Sequence, residues 1–107
     1  MNPAEFVIVL STFPVDEDAS ALARALVTER LAACVNILPP MPSIYRWEGN
    51  VEVVHEHQLV IKTMAARVES LKQRLNELHP YDVPEILVLP LSDGAPAYLE
   101  WLRQAIE

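Results

Sequence analysis

The chain has 107 residues, of which 51% are hydrophobic and 21% charged, with two glycines and a single cysteine. This length supports one domain, and the composition excludes disordered, collagen-like and disulfide-stapled classes. A formal net charge of −7 opposes phosphate backbones and anionic lipid faces, so neither nucleic acid nor a membrane surface is an expected partner.

The N-terminal stretch enters a strand-like run without the basic region of a secretory signal, which leads us to expect a cytoplasmic protein. Phe6–Phe13 is apolar, rich in β-branched residues and ended by Pro14, predicting a central strand buried on both faces. Asp16, Glu17 and Asp18 supply the negative charge a helix start favours, and Ala19, Leu22, Ala23 and Leu26 recur at helical spacing. A first helix over Glu17–Ala32 is predicted. Cys34–Leu38 and Ser43–Trp47 read as strand segments, with the intervening prolines bending one long strand. Gly49-Asn50 is the expected hairpin turn into a second arm, Val51–Thr63.

That arm has consequences. About 13 extended residues span about 44 Å, whereas a domain of this size has a radius of gyration near 13 Å. The hairpin must overhang its own core, and its uncovered edges are most simply covered by other copies of the chain.

Val68, Leu71, Leu75 and Leu78 predict a second helix over Ala65–Leu78, closed by His79-Pro80. Glu85–Leu91 reads as another central apolar strand. Asp93 is the expected cap of a last helix with Tyr98, Leu99, Leu102 and Ile106 on one face. The order β-α-β-β-α-β plus a C-terminal helix is the ferredoxin-like α+β pattern, with two helices on one face of an antiparallel sheet, as a single domain over 1–107.

Three groups of side chains could carry chemistry. His55 and His57 project from one face of the long strand and Glu56 from the other, and we read the two imidazoles as solvated or subunit-contact residues. His79-Pro80-Tyr81-Asp82-Val83-Pro84-Glu85 is the densest polar cluster, in a turn where a scaffold could hold a site or merely cap a helix. Tyr45 and Trp47 share a strand face on the arm paired to the strand carrying Lys62, an arrangement fit for a small anionic or planar ligand. With Gly49 and Gly94 the only glycines, phosphate-loop, dinucleotide and nucleophile-elbow patterns are absent, and a lone Cys34 makes no multi-thiolate zinc site.

The segments Arg30–Asn36 (RLAACVN), Ser43–Gly49 (SIYRWEG), Ile61–Thr63 (IKT), His79–Glu85 (HPYDVPE) and Tyr98–Trp101 (YLEW) resemble, in order and spacing, the CutA divalent-cation tolerance family. The resemblance implies a PII-like homotrimer without enzymatic activity, in which long hairpins pair between subunits. It also implies an inter-subunit ligand cleft lined by Tyr45, Trp47, Lys62, His79, Tyr81 and Glu85. Glu56 and His79 are the metal donors it offers, for weak binding of Cu(II) or Zn(II) with no obligatory cofactor. The thiol some members carry at the end of the first strand is Ser11 here, a poor ligand for a soft ion. A trimeric scaffold for protein partners, or an enzyme or signalling module at the cleft, are the alternatives.

Overall fold

Residues 2–107 are described by a computed structural model, in which the sheet is built around the first strand. Strand β1 (Phe6–Pro14) pairs antiparallel with β4 (Asn50–Met64) on one side and β5 (Leu87–Pro90) on the other. On one face Val7, Val9, Ser11 and Phe13 are buried, and on the other Phe6 and Thr12 are buried while Ile8 and Leu10 are half-buried. Strands β2 (Cys34–Ile37) and β3 (Met41–Trp47) follow one another along the far side of β4. The prolines between them bend the chain without giving it a new neighbour. Counting β2 and β3 as one bent strand, the sheet order is second, third, first, fourth, the ferredoxin-like arrangement.

Alternation along the strands divides the side chains between two faces. Val7, Val9 and Phe13 of β1 and Leu59 and Ile61 of β4 point to one face, where helices α1 (Ala19–Thr28) and α2 (Val68–Leu78) bury Leu22, Leu26, Leu71 and Leu75 against them. Helix α3 (Pro96–Ile106) covers one end of the opposite face, packing Leu99, Leu102 and Ile106 on Phe6 and Ala33. The remainder of that second face stays open.

Several element boundaries differ from expectation for identifiable reasons. Helix α1 starts behind Asp18, whose carboxylate accepts the Ala21 amide at 3.0 Å. It stops at Thr28, short of Ala32, because Arg30 adopts φ 61°. The Leu31 amide then donates to Leu26 and the Arg30 amide to Val27, each at 3.0 Å, a Schellman closure built without glycine. The hairpin turn is Glu48-Gly49, with φ 48° and 81°, and Asn50 already pairs with Trp47 as the first residue of β4. Two central residues at positive φ are the mark of a type I′ turn, which matches the twist of the arms.

β5 is an edge strand within the chain, not a central one: Leu87, Val88 and Leu89 are 56%, 40% and 46% exposed. Asp93 does not cap α3. Its carboxylate accepts the neighbouring Gly94 amide, and the helix begins at Pro96, whose fixed φ suits a first position. Tyr98 leaves the buried stripe of α3 and lies against Trp101 on the surface, ring centroids 5.4 Å apart.

The long arm overhangs as its length requires. β1 reaches only to the Pro14–Glu56 pair, so the stretch of β4 from Asn50 to His55 is bonded to β3 alone. The chain measures 45 × 26 × 24 Å with a radius of gyration of 14.5 Å.

Candidate ligand cleft

At the root of the overhang, the open sheet face and the segment after α2 enclose a cleft of about 830 Å³. Its floor is Thr12, Glu56 and Gln58, at alternate positions on β1 and β4, and its wall on β3 is Met41, Ser43, Tyr45 and Trp47. Period-two alternation places all of these on one face. The facing wall is the Pro80–Glu85 loop, which leaves α2 at His79 because the residue before a proline is driven to extended geometry.

Hydrogen bonds fix the loop to the sheet. The Tyr81 hydroxyl donates to Glu56 Oε2 at 2.9 Å, and the Gln58 amide donates to the Ser11 carbonyl at 2.6 Å and to Glu85 Oε2 at 3.1 Å. Glu56 is only 5% exposed. Burial first, and then the hydrogen bond to Glu56, push the Tyr81 phenol well above its ordinary value, so it stays a donor.

His79 sits behind this wall. Its Nδ1 accepts the Tyr81 amide at 3.1 Å and its Nε2 faces the Thr12 carbonyl at 2.6 Å, which assigns the proton to Nε2. The ring lies edge-on to Phe13 and tilted against Tyr81, at centroid separations of 5.1 and 4.7 Å. Both nitrogens are engaged, and His79 holds Tyr81 in place without lining the cleft.

Of the residues implied for the cleft, the fold brings together Tyr45, Trp47, Tyr81 and Glu85, with Glu56 beside them. Lys62 lies outside. It shares the open face, yet it pairs with Cys34 at the base of β4, about 20 Å along the strand from Glu56 at 3.3 Å per residue, and its ammonium stands 5.8 Å from the Tyr98 ring centroid. Thr12, Met41 and Gln58 are lining residues that sequence reasoning missed, whereas Asp82 belongs to the polar cluster it singled out. Gln58 could have been found, since it stands two positions from Glu56 on the same strand face.

Among the described residues no three His, Cys, Asp or Glu side chains converge closely enough to hold one ion. Ser11 is fully buried, at a β1 position whose parity directs it to the helix-covered face, away from Glu56. His55 is exposed, and His57 Nδ1 lies 2.7 Å from the Leu38 carbonyl. A single chain does not close a coordination sphere here.

Fold and cleft together define a small ferredoxin-like α+β protein with a PII-like fold and an acidic, aromatic cleft at the root of an overhanging hairpin. Residues 7–105 match the family described as CutA1 divalent ion tolerance protein. A Thermus thermophilus relative, named divalent-cation tolerance protein CutA, is 52% identical over 97 residues, covering 91% of this chain and 94% of its own. An Arabidopsis thaliana relative named as a chloroplastic CutA is 44% identical, over 92% of this chain and 54% of its own length. The crystal structure of CutA1 from Oryza sativa superposes with a TM-score of 0.93 at 38% identity, covering 100% of this chain and 98% of that one. The chain belongs to the CutA1 divalent ion tolerance family.

Proposed function

We propose that the chain acts as a homotrimeric, non-catalytic binding module in the response to divalent cations, copper among them, and works in the cytoplasm. The observation that carries the assembly is the bare hairpin: Ile44, Val51 and Val53 are 69%, 64% and 59% exposed, beyond the part of β4 that β1 covers. Such a patch at one end of the sheet and an open apolar edge at β5 both call for a partner, and further copies of the chain would cover both. Tyr45, Trp47, Tyr81 and Glu85 would then stand at a seam between copies.

The role in cation tolerance is supported by the name its Thermus relative carries. Contact with Cu(II) or Zn(II) would be weak, would centre on Glu56 and would need donors from a neighbouring copy. His79 would act through Tyr81, since its nitrogens are already spent.

Light scattering on the purified protein tests the assembly: a mass of about 36 kDa is expected, three times the 12.0 kDa chain. A well-folded single chain at micromolar concentration would overturn it. For the metal part, melting of metal-stripped protein should shift upward with millimolar Cu(II) or Zn(II) and do so less in Glu56→Gln. No shift with either ion rejects direct binding.

A further inference from the structure

We infer that the cleft binds a small organic cation, an ammonium group carried on an apolar or aromatic body, in preference to an anion or a bare metal ion. Its lining contains three carboxylates, Glu56, Asp82 and Glu85, and no lysine, arginine or histidine. None of the three carboxylates enters an ion pair among the described residues, where the acidic partners are Glu29, Glu69, Glu77, Glu100 and Glu107. Glu56 and Glu85 are held by neutral donors, the Tyr81 hydroxyl and the Gln58 amide. A neutral donor orients a carboxylate without cancelling its charge, so the cleft keeps a negative field at a nearly buried position. The cation that would have reversed this preference, Lys62, is absent from the cleft.

A second observation separates an organic cation from a metal. A bare divalent ion needs several donors within bonding distance of one point, and the carboxylates present do not converge in that way. An ammonium group asks for one carboxylate and a ring face. Tyr45, Trp47 and Tyr81 border the same space, and an aromatic face attracts a weakly hydrated cation through its quadrupole. A cleft of about 830 Å³ also falls in the range that encloses small organic ligands, far above the volume of an ion. The inference goes beyond the metal-response reading and requires neither a bound metal nor the trimer.

The test uses metal-stripped full-length protein in chelator. The Trp101→Phe variant leaves Trp47 as the only indole, since the chain has two tryptophans. Benzyltrimethylammonium is titrated against Trp47 fluorescence, with benzoate and benzyl alcohol as the anionic and neutral counterparts. Saturable binding of the ammonium is expected, about fivefold or more tighter than benzyl alcohol, with benzoate weaker still, and weakened by added salt. Glu85→Gln, checked for unchanged circular dichroism, should lose about fivefold in affinity for the ammonium alone.

Equal or tighter binding of benzoate or benzyl alcohol would overturn the inference, as would unchanged affinity in both Glu85→Gln and Glu85→Gln with Asp82→Asn. Absence of any saturable change up to about 50 mM ammonium would overturn it too, and is the result expected if a side chain of a second copy fills the cleft. Light scattering on the same samples reads the assembly separately, so loss of the trimer is not confused with loss of the ligand.

Discussion

Glu56 is almost wholly withdrawn from water, and the Tyr81 hydroxyl donates to it at 2.9 Å. Removing that hydroxyl leaves a buried acceptor short of a partner, which typically costs about 1–3 kcal/mol. Tyr81→Phe should therefore lower the unfolding free energy by about that amount at neutral pH, read from urea titrations. The same pair sets a pH dependence. Burial and the bond to Glu56 raise the phenol above its usual 10.0 in the fold, while the unfolded chain keeps the ordinary value. Rising alkalinity thus strips the proton from the unfolded chain first, and stability that is complete below about pH 10 drains away above it. The wild type should lose stability between about pH 9.5 and 11 more steeply than Tyr81→Phe, and equal slopes would show that this phenol is not protected.

At the scale of elements the hairpin turn offers the cleanest case. Glu48 occupies φ 48°, a left-handed conformation that costs an ordinary L-residue about 1–2 kcal/mol and asparagine less. Glu48→Asn creates the favoured Asn-Gly pair of a type I′ turn and should raise the unfolding free energy by about 0.5–1 kcal/mol, seen as a higher denaturant midpoint at unchanged slope. A sequence reading put the turn one residue later, at Gly49-Asn50, because glycine signals a turn without saying which side of it the partner stands. The element order, the central place of β1 and the overhang were legible, since each follows from apolar periodicity and strand length. The end of α1 was not: Arg30 takes the left-handed position usually given to glycine, so no local signal marked it. β5 misled in a different way. Its run of Leu87-Val88-Leu89 promises burial on both faces, and one chain supplies a strand on one side only. The cleft divided similarly. Tyr45 and Trp47 share a face by strand parity, and Tyr81 and Glu85 stand in the turn that the polar cluster marks, but their meeting in one cleft beside Glu56 was implied only by the family resemblance, and parity alone could not show that Lys62 lies too far along β4.

Across the whole molecule the mismatch lies in surface. Chains of this mass expose about 6,000 Å² when folded, and this one exposes 6437 Å², with apolar side chains of the hairpin and β5 prominent in it. Ile44 and Val53 are direct cross-strand partners at 69% and 59% exposure, distant from the core that α1 and α2 build with Leu59 and Ile61. A charge there would cost the isolated subunit little, because nothing in it packs against Ile44 tightly enough to be lost. It would cost an assembly that buries the hairpin a desolvated, unpaired carboxylate. Ile44→Asp should therefore leave the far-ultraviolet circular dichroism of the helices intact while the mass in light scattering falls from the roughly 36 kDa expected of the proposed trimer toward the 12.0 kDa of the chain. A trimer that survives Ile44→Asp with unchanged melting would move the contact elsewhere, to the β5 edge, where Leu89→Asp gives the corresponding test. If both variants keep the mass of the wild type, the exposed apolar surface is not what joins the copies, and a seam location for the cleft loses its support.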